Sequence, residues 1–171
     1  MLEPQGYHVL LSSTDRTGQD EAWITQFCRR VDGILLYVFG SQSQVRSALR
    51  VVERVSVPVV VVGGRVEGVT ATRVSLDNQA GAQAAVAHLA SLGHRKIGYL
   101  GGQQDAPTNV ARRQGWLAGL RAAGVSPRRS WARELVSDST VGEQMTQAAE
   151  NARALLDPAE GVTAIFCFSD L

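Results

Sequence analysis

Arg112, Ser169 and Asp170 stand where apolar runs give way to polar residues. A guanidinium offers several directed donors for hydroxyl or carboxylate oxygens. A hydroxyl donates and accepts, and a carboxylate accepts. Such a set suits the grip of a small polar molecule better than bond-breaking chemistry. Each residue also has a plainer reading. Arg112 falls in the first turn of an expected helix, where the dipole favours anions, so by itself it reads first as a solvated surface cation and second as a ligand contact. Arg113 points elsewhere on that helix, and the two arginines do not form one clamp. Asp170 can accept from a ligand or cap a following helix, and Asp77-Asn78 reads first as a cap. The stretch 101–109 is expected to be a loop. Its Gly101 and Gly102 let backbone approach a ligand or simply make a turn, with Asp105, Thr108 and Asn109 beside them. Ser12, Ser13, Thr14 and Asp15 line a cleft or lie in a solvent loop.

Catalytic patterns are missing from the sequence. His8, His88 and His94 form no metal-ligand spacing, and no pair of acids is placed for general acid and base work. No Gly-x-Ser-x-Gly elbow occurs. Neither Gly-x-Gly-x-x-Gly nor a phosphate loop ending in Lys-Ser/Thr is present. The expectation is therefore no enzyme, no metal and no cofactor.

The chain has 171 residues, 44% of them hydrophobic, as in an ordinary globular protein. Seventeen basic and sixteen acidic residues leave a formal charge of +1, too little for a broad nucleic-acid or membrane footprint. The basic cluster from Arg112 to Arg133 is followed by Glu134, Asp138, Glu143 and Glu150 and reads as a solvated face. Cys28 and Cys167 lie in apolar surroundings without Cys-x-x-Cys spacing, and both are expected as buried free thiols. No run reaches the roughly 18 apolar residues of a membrane span, and residues 1–6 do not read as a signal peptide. A cytoplasmic location is expected.

The elements that must position these side chains follow from apolar periodicity. Strands are expected at Tyr7–Leu11, Ile34–Phe39, Val57–Val62, Arg73–Leu76, Lys96–Leu100, Arg133–Val136 and Val162–Phe168. Between them, helical spacing marks Gln19–Arg30, a helix around Val45–Val52, another from Asn78 to Gly93, Val110–Ala122 and Thr140–Leu156. Ser41, Ser43 and Asp77 are expected as caps. Pro58 belongs at a strand's entrance, where no ladder donor is needed. Repeated strand–helix–strand units predict an α/β fold with parallel sheets covered by helices. The chain stops just after a strand, and little precedes the first one, so it is expected to be incomplete at both ends.

A series of segments gives this layout a family resemblance. In order they are Gly6-Tyr7-His8-Val9-Leu10-Leu11, Val31-Asp32-Gly33-Ile34-Leu35, Val57-Pro58-Val59-Val60-Val61 and Val74-Ser75-Leu76-Asp77-Asn78. His88-Leu89-Ala90-Ser91-Leu92-Gly93-His94-Arg95-Lys96-Ile97, Arg112-Arg113-Gln114-Gly115-Trp116 and Ala164-Ile165-Phe166-Cys167-Phe168-Ser169-Asp170 complete it. The chain resembles the effector-binding core of the lactose/galactose repressor family. That resemblance implies a two-lobed, Rossmann-like, periplasmic-binding-protein-like fold. The expected parts are residues 1–94 from the N-terminal lobe and 95–171 from the C-terminal lobe. It implies a small polar effector, often a sugar, held between the lobes. A homodimer passes the effector's bias to operator DNA through a separate headpiece, which nothing before Tyr7 supplies.

By the family pattern Arg112 matches the effector-binding arginine and Arg113 does not. Ser169 stands where an Asn is common, and Asp170 matches the acid beside it. Gly63 stands where some relatives offer an acidic sugar contact. The expected function is the sensing core of a DNA-binding transcriptional regulator. The alternatives are a solute-binding receptor for sugar uptake and a Rossmann-like enzyme.

Overall fold

The runs Ile34-Leu-Leu-Tyr-Val38 and Val59-Val-Val-Val-Gly63 consist largely of residues that fit a pleated, buried surface, and they form neighbouring strands. The computed structural model describes residues 5–11, 27–50, 55–63, 72–136 and 140–169. Strand β1 (Ile34–Val38) pairs in parallel with β2 (Val59–Gly63), setting Ile34 opposite Val59 and Val38 opposite Gly63. A short β3 (Thr72–Val74) lies on the other side of β2, also parallel, in the order β1-β2-β3. Pro58 stands just outside β2, and its carbonyl accepts from Ile34 N at 2.9 Å.

Helix α1 (Gln42–Arg50) starts on a reciprocal cap. Gln44 N donates to Ser41 Oγ at 3.3 Å, while Ser41 N donates to Gln44 Oε1 at 2.8 Å. Val45 and Leu49, four residues apart, then face one way and bury against Val38 and Val61. The opposite face of β1 is apolar too, yet Leu35 and Tyr37 are 78% and 68% exposed, so no described residue covers it.

Two expectations change in this half. Residues Tyr7–Leu11 form no strand and their side chains are exposed. An apolar run becomes a strand only when a neighbour takes up its backbone groups, and apolar sequence does not by itself provide one. Of the helix expected over 19–30, only Phe27 and Cys28 are described as helical, and the preceding residues lie outside the described set.

The second sheet is built on β4 (Ile97–Gln103), flanked in parallel by β5 (Ala132–Leu135) and β6 (Ala164–Cys167) in the order β5-β4-β6. Tyr99 lies at its centre, fully buried, with its ring stacked on Trp116 at 5.7 Å and on Phe166 at 5.8 Å. Helix α2 (Asn78–Ser91), capped by Asp77 Oδ1 accepting from Ala80 N at 2.9 Å, packs along α3 (Pro107–Ala122). The close approach depends on Gly115 and Gly119. A Cβ at Gly115 would stand 2.2 Å from the Gln79 carbonyl, and one at Gly119 would stand 2.7 Å from Val86 Cβ.

Val86 of α2 thus joins Ile97, Tyr99, Trp116, Leu120 and Trp131 in the second core. Helix α4 (Val141–Leu155) begins on a capping box between Thr140 and Glu143 and buries Leu155. The molecule is therefore a two-lobed α/β fold with parallel sheets and helical covers. Among the described residues, no helix is long and apolar enough to cross a membrane.

Candidate functional site

Strand β4 runs further than its apolar run suggests and includes both Gly101 and Gly102, which the sequence places in a loop. Their lack of side chains serves packing inside the sheet. A Cβ on Gly102 would meet the Phe168 ring at 3.0 Å, and one on Gly101 would meet Asn109 Oδ1 at 2.9 Å. Helix α3 likewise starts three residues before the expected Val110, because Pro107 occupies its first turn, where a missing N–H costs nothing. Arg112 consequently lies in the second turn rather than the first.

From there the half-buried Arg112 side chain reaches two other elements. Its Nε donates to Asn78 Oδ1 at 2.8 Å, at the start of α2. Its Nη1 donates to the Phe168 carbonyl just beyond β6, and the guanidinium lies 4.6 Å from the centroid of the Phe168 ring. Arg113, rotated by about 100° around the helix, turns to β5, with Nε 3.7 Å from Glu134 Oε1. The two arginines separate as expected. Ser169 directly follows Phe168 and is half-buried. Asp170 lies outside the described residues, as do Ser12–Asp15.

Beneath Arg112 a polar network joins three elements. Asn109 is fully buried. Its Oδ1 accepts from Tyr99 Oη at 2.6 Å and from Gly102 N at 2.8 Å. Its Nδ2 donates to Glu134 Oε1 at 2.6 Å. Burial pushes the Tyr99 phenol well above its ordinary value, and the Glu134 charge adds to the rise, so Tyr99 is a neutral donor at every physiological pH.

A further contact links the halves of the molecule. Gln42 N, at the start of α1, donates to Asp105 Oδ2 in the turn after β4 at 3.2 Å. Asp105 was legible as a polar residue at a strand end. Its partner, 63 positions away, was not. In the sequence Asp77-Asn78 reads first as a cap and second as a ligand contact. Asp77 does the capping, which leaves the Asn78 amide for Arg112.

The remaining candidates serve packing or lie apart. His94 Nδ1 is 3.0 Å from Thr163 Oγ1, His8 is exposed, and His88 belongs to α2. Among the described residues no group of three or more His, Cys, Asp or Glu side chains could hold a metal ion. Both cysteines are free, but neither is fully buried: Cys28 is half-buried, and Cys167, which ends the short β6, is exposed.

Convergent polar groups at the C-terminal ends of parallel strands, on a two-lobed frame, define the class of effector-binding, periplasmic-binding-protein-like domains. Residues 1–171 match the family described as periplasmic binding proteins and sugar binding domain of LacI family, and the chain belongs to that family. It is 33% identical over 175 residues to the HTH-type transcriptional regulator CelR of Thermobifida fusca, an alignment covering 99% of this chain and 48% of that protein. The maltose regulon regulatory protein MalI of Escherichia coli is 29% identical over 172 residues, with 99% and 48% covered.

Among solved structures, a complex of the transcriptional regulator CelR with cellobiose superposes with a TM-score of 0.72 at 29% identity. It covers 97% of this chain and 49% of that one. A LacI family transcriptional regulator from Silicibacter pomeroyi gives 0.70 at 26% identity, covering 99% and 61%. The chain spans about half the length of the curated relatives it matches.

Proposed function

We propose that this chain is the effector-sensing core of a cytoplasmic, DNA-binding transcriptional regulator that holds a sugar or related small polar ligand between its lobes. The observation that carries the reading is Arg112, held between Asn78 and the Phe168 carbonyl where the strand ends of the second sheet meet the crossover. Both partners are hydrogen-bond acceptors that a hydroxylated ligand can replace or share. Arg112, Ser169 and Asp170 are the proposed ligand contacts, with Asn78 added from the geometry. The regulators among the relatives favour transcription control over solute uptake.

The lobes are proposed to divide at the crossover between Leu76 and Asn78 rather than at residue 94, because α2 packs on α3 and contributes Val86 to the second core. Effector binding then changes the relative stability of two lobe arrangements, which is what regulation requires. In the intact regulator a homodimer is proposed to carry that bias to an operator through a DNA-binding headpiece.

Calorimetry of the intact protein with cellobiose, maltose and their monosaccharides tests the proposal. A saturable heat with at least one sugar is expected, and Arg112→Ala should weaken it by about tenfold or more, about 1.4 kcal/mol. Unchanged affinity in Arg112→Ala would remove the assigned contact, and no heat from any of the sugars would remove the ligand class.

A further inference from the structure

We propose that Asn109 is a positioning residue, whose buried amide sets the direction in which Arg112 presents its guanidinium. The inference rests on the reading of Arg112 as an effector contact. Asn109 stands three residues before Arg112 on α3, so the two share one side of the helix. Its amide is fully buried and uses both ends. Oδ1 accepts from Tyr99 Oη and Gly102 N, on β4, and Nδ2 donates to Glu134 on β5. The first turn of α3 is thereby fixed in rotation against two strands at once. An apolar residue there would fix only its depth.

The arrangement also explains why the adjacent arginines part. Glu134 Oε1 receives Asn109 Nδ2 and lies 3.7 Å from Arg113 Nε, so the same carboxylate that anchors the amide draws Arg113 toward β5. With Arg113 turned that way, the helix geometry turns Arg112 toward Asn78 and Phe168. Gly101 leaves room for the network as a whole: a Cβ there would stand 2.8 Å from Glu134 Cγ and 2.9 Å from Asn109 Oδ1. A leucine or alanine at 109 would leave the Gly102 N–H and the Glu134 carboxylate without that partner, and the Tyr99 hydroxyl with only its longer bond to the backbone carbonyl of residue 109, at 3.3 Å. Such buried groups recover partners by shifting the helix.

The test reads Arg112 directly and needs no ligand. In intact protein carrying ¹⁵N-labelled arginine and tryptophan, the Arg112 Nε–H signal is identified by its loss in Arg112→Lys. Its exchange with solvent is then compared in native protein, Asn109→Ala and Tyr99→Phe. The Trp116 indole N–H, which donates to the Ile97 carbonyl at 3.1 Å from the same helix, reports whether α3 stays docked.

Exchange of the Arg112 Nε–H should rise about tenfold in Asn109→Ala and by a smaller factor in Tyr99→Phe, with the Trp116 signal unmoved. Tyr99→Phe removes one hydroxyl and no bulk, so it carries the test if Asn109→Ala loosens the whole helix. Unchanged Arg112 exchange in Tyr99→Phe and in a folded Asn109→Ala overturns the positioning role, as does a rise matched by the Trp116 signal in both. Because no sugar enters the measurement, that failure is separate from a failure of Arg112→Ala to weaken sugar binding.

Discussion

At the scale of single residues, the role proposed for Arg112 rests on the shape of its charge as much as on its sign. Its Nε and Nη1 address different acceptors, Asn78 Oδ1 and the Phe168 carbonyl, while the planar group lies over the Phe168 ring. A lysine ammonium is a single point of charge without that fork or a stacking plane. Arg112→Lys should therefore recover little of the sugar affinity lost in Arg112→Ala when both are titrated by calorimetry. Recovery to near the native value would reduce the role of Arg112 to its charge. The sequence singles out this arginine as a candidate through the ordered segments around it, not through any spacing of its own. Asn78 was harder to see because its partner is 34 residues away, and a local reading offers every Asx before a helix as a cap. Asn109 reads in the sequence as a polar loop residue that either faces a ligand or belongs to a turn. Its burial depends on two strands closing over it, which no local pattern encodes.

The elements show which interactions place these residues and how firmly. Glycine usually weakens a helix, so replacing it with alanine adds up to about 1 kcal/mol where space is open. Gly81 on α2 has open space around its notional Cβ, and Gly81→Ala should stabilise the protein by about that amount. Gly115 faces the backbone carbonyl of Gln79, which cannot swing aside. Gly115→Ala should destabilise by roughly 1–3 kcal/mol as α2 and α3 are forced apart. Urea unfolding of the two variants should therefore shift in opposite directions; a shift in the same direction would contradict the close packing.

The start of α4 gives a prediction in pH. Glu143 accepts from the Thr140 hydroxyl and from Thr140 N, each at 2.7 Å, and these bonds hold its carboxyl below the ordinary value. A carboxyl depressed in the folded state adds stability above its unfolded value and loses it as pH falls through the folded one. The melting-temperature difference between native protein and Glu143→Gln should thus be largest near neutrality and shrink in acid. A difference that does not change with pH would show that the capping carboxylate's charge is not involved. Helix positions were readable because their stripes and caps are local. Strand pairing was less so: Tyr7–Leu11 has the composition of a strand, but pairing depends on a neighbour that composition does not specify.

Across the whole molecule, each sheet carries its own core, so the relation between lobes depends on contacts that cross from one to the other. One such contact has a clear electrostatic logic. Helix α1 has no acidic residue in its first turn, and its cap between Ser41 and Gln44 leaves Gln42 N pointing outward. Asp105, on the turn after β4, supplies the missing negative charge from the other lobe by accepting from that N–H at 3.2 Å. A carboxylate at a helix N-terminus contributes about 0.3–1 kcal/mol, weakened by salt. That energy is too small to lock the lobes and large enough to shift a balance between two arrangements by about two- to fivefold.

Asp105→Ala should therefore broaden the distance between spin labels placed on the exposed faces of α1 and α4 toward longer values. Asp105→Asn, which keeps an acceptor but not the charge, should fall between that variant and the native protein. Raising the salt concentration should move the native distribution toward that of Asp105→Ala while leaving the variant nearly still. If the distributions of native protein and Asp105→Ala coincide at low salt, this contact does not hold the lobes together, and their arrangement is set by packing at the crossover instead.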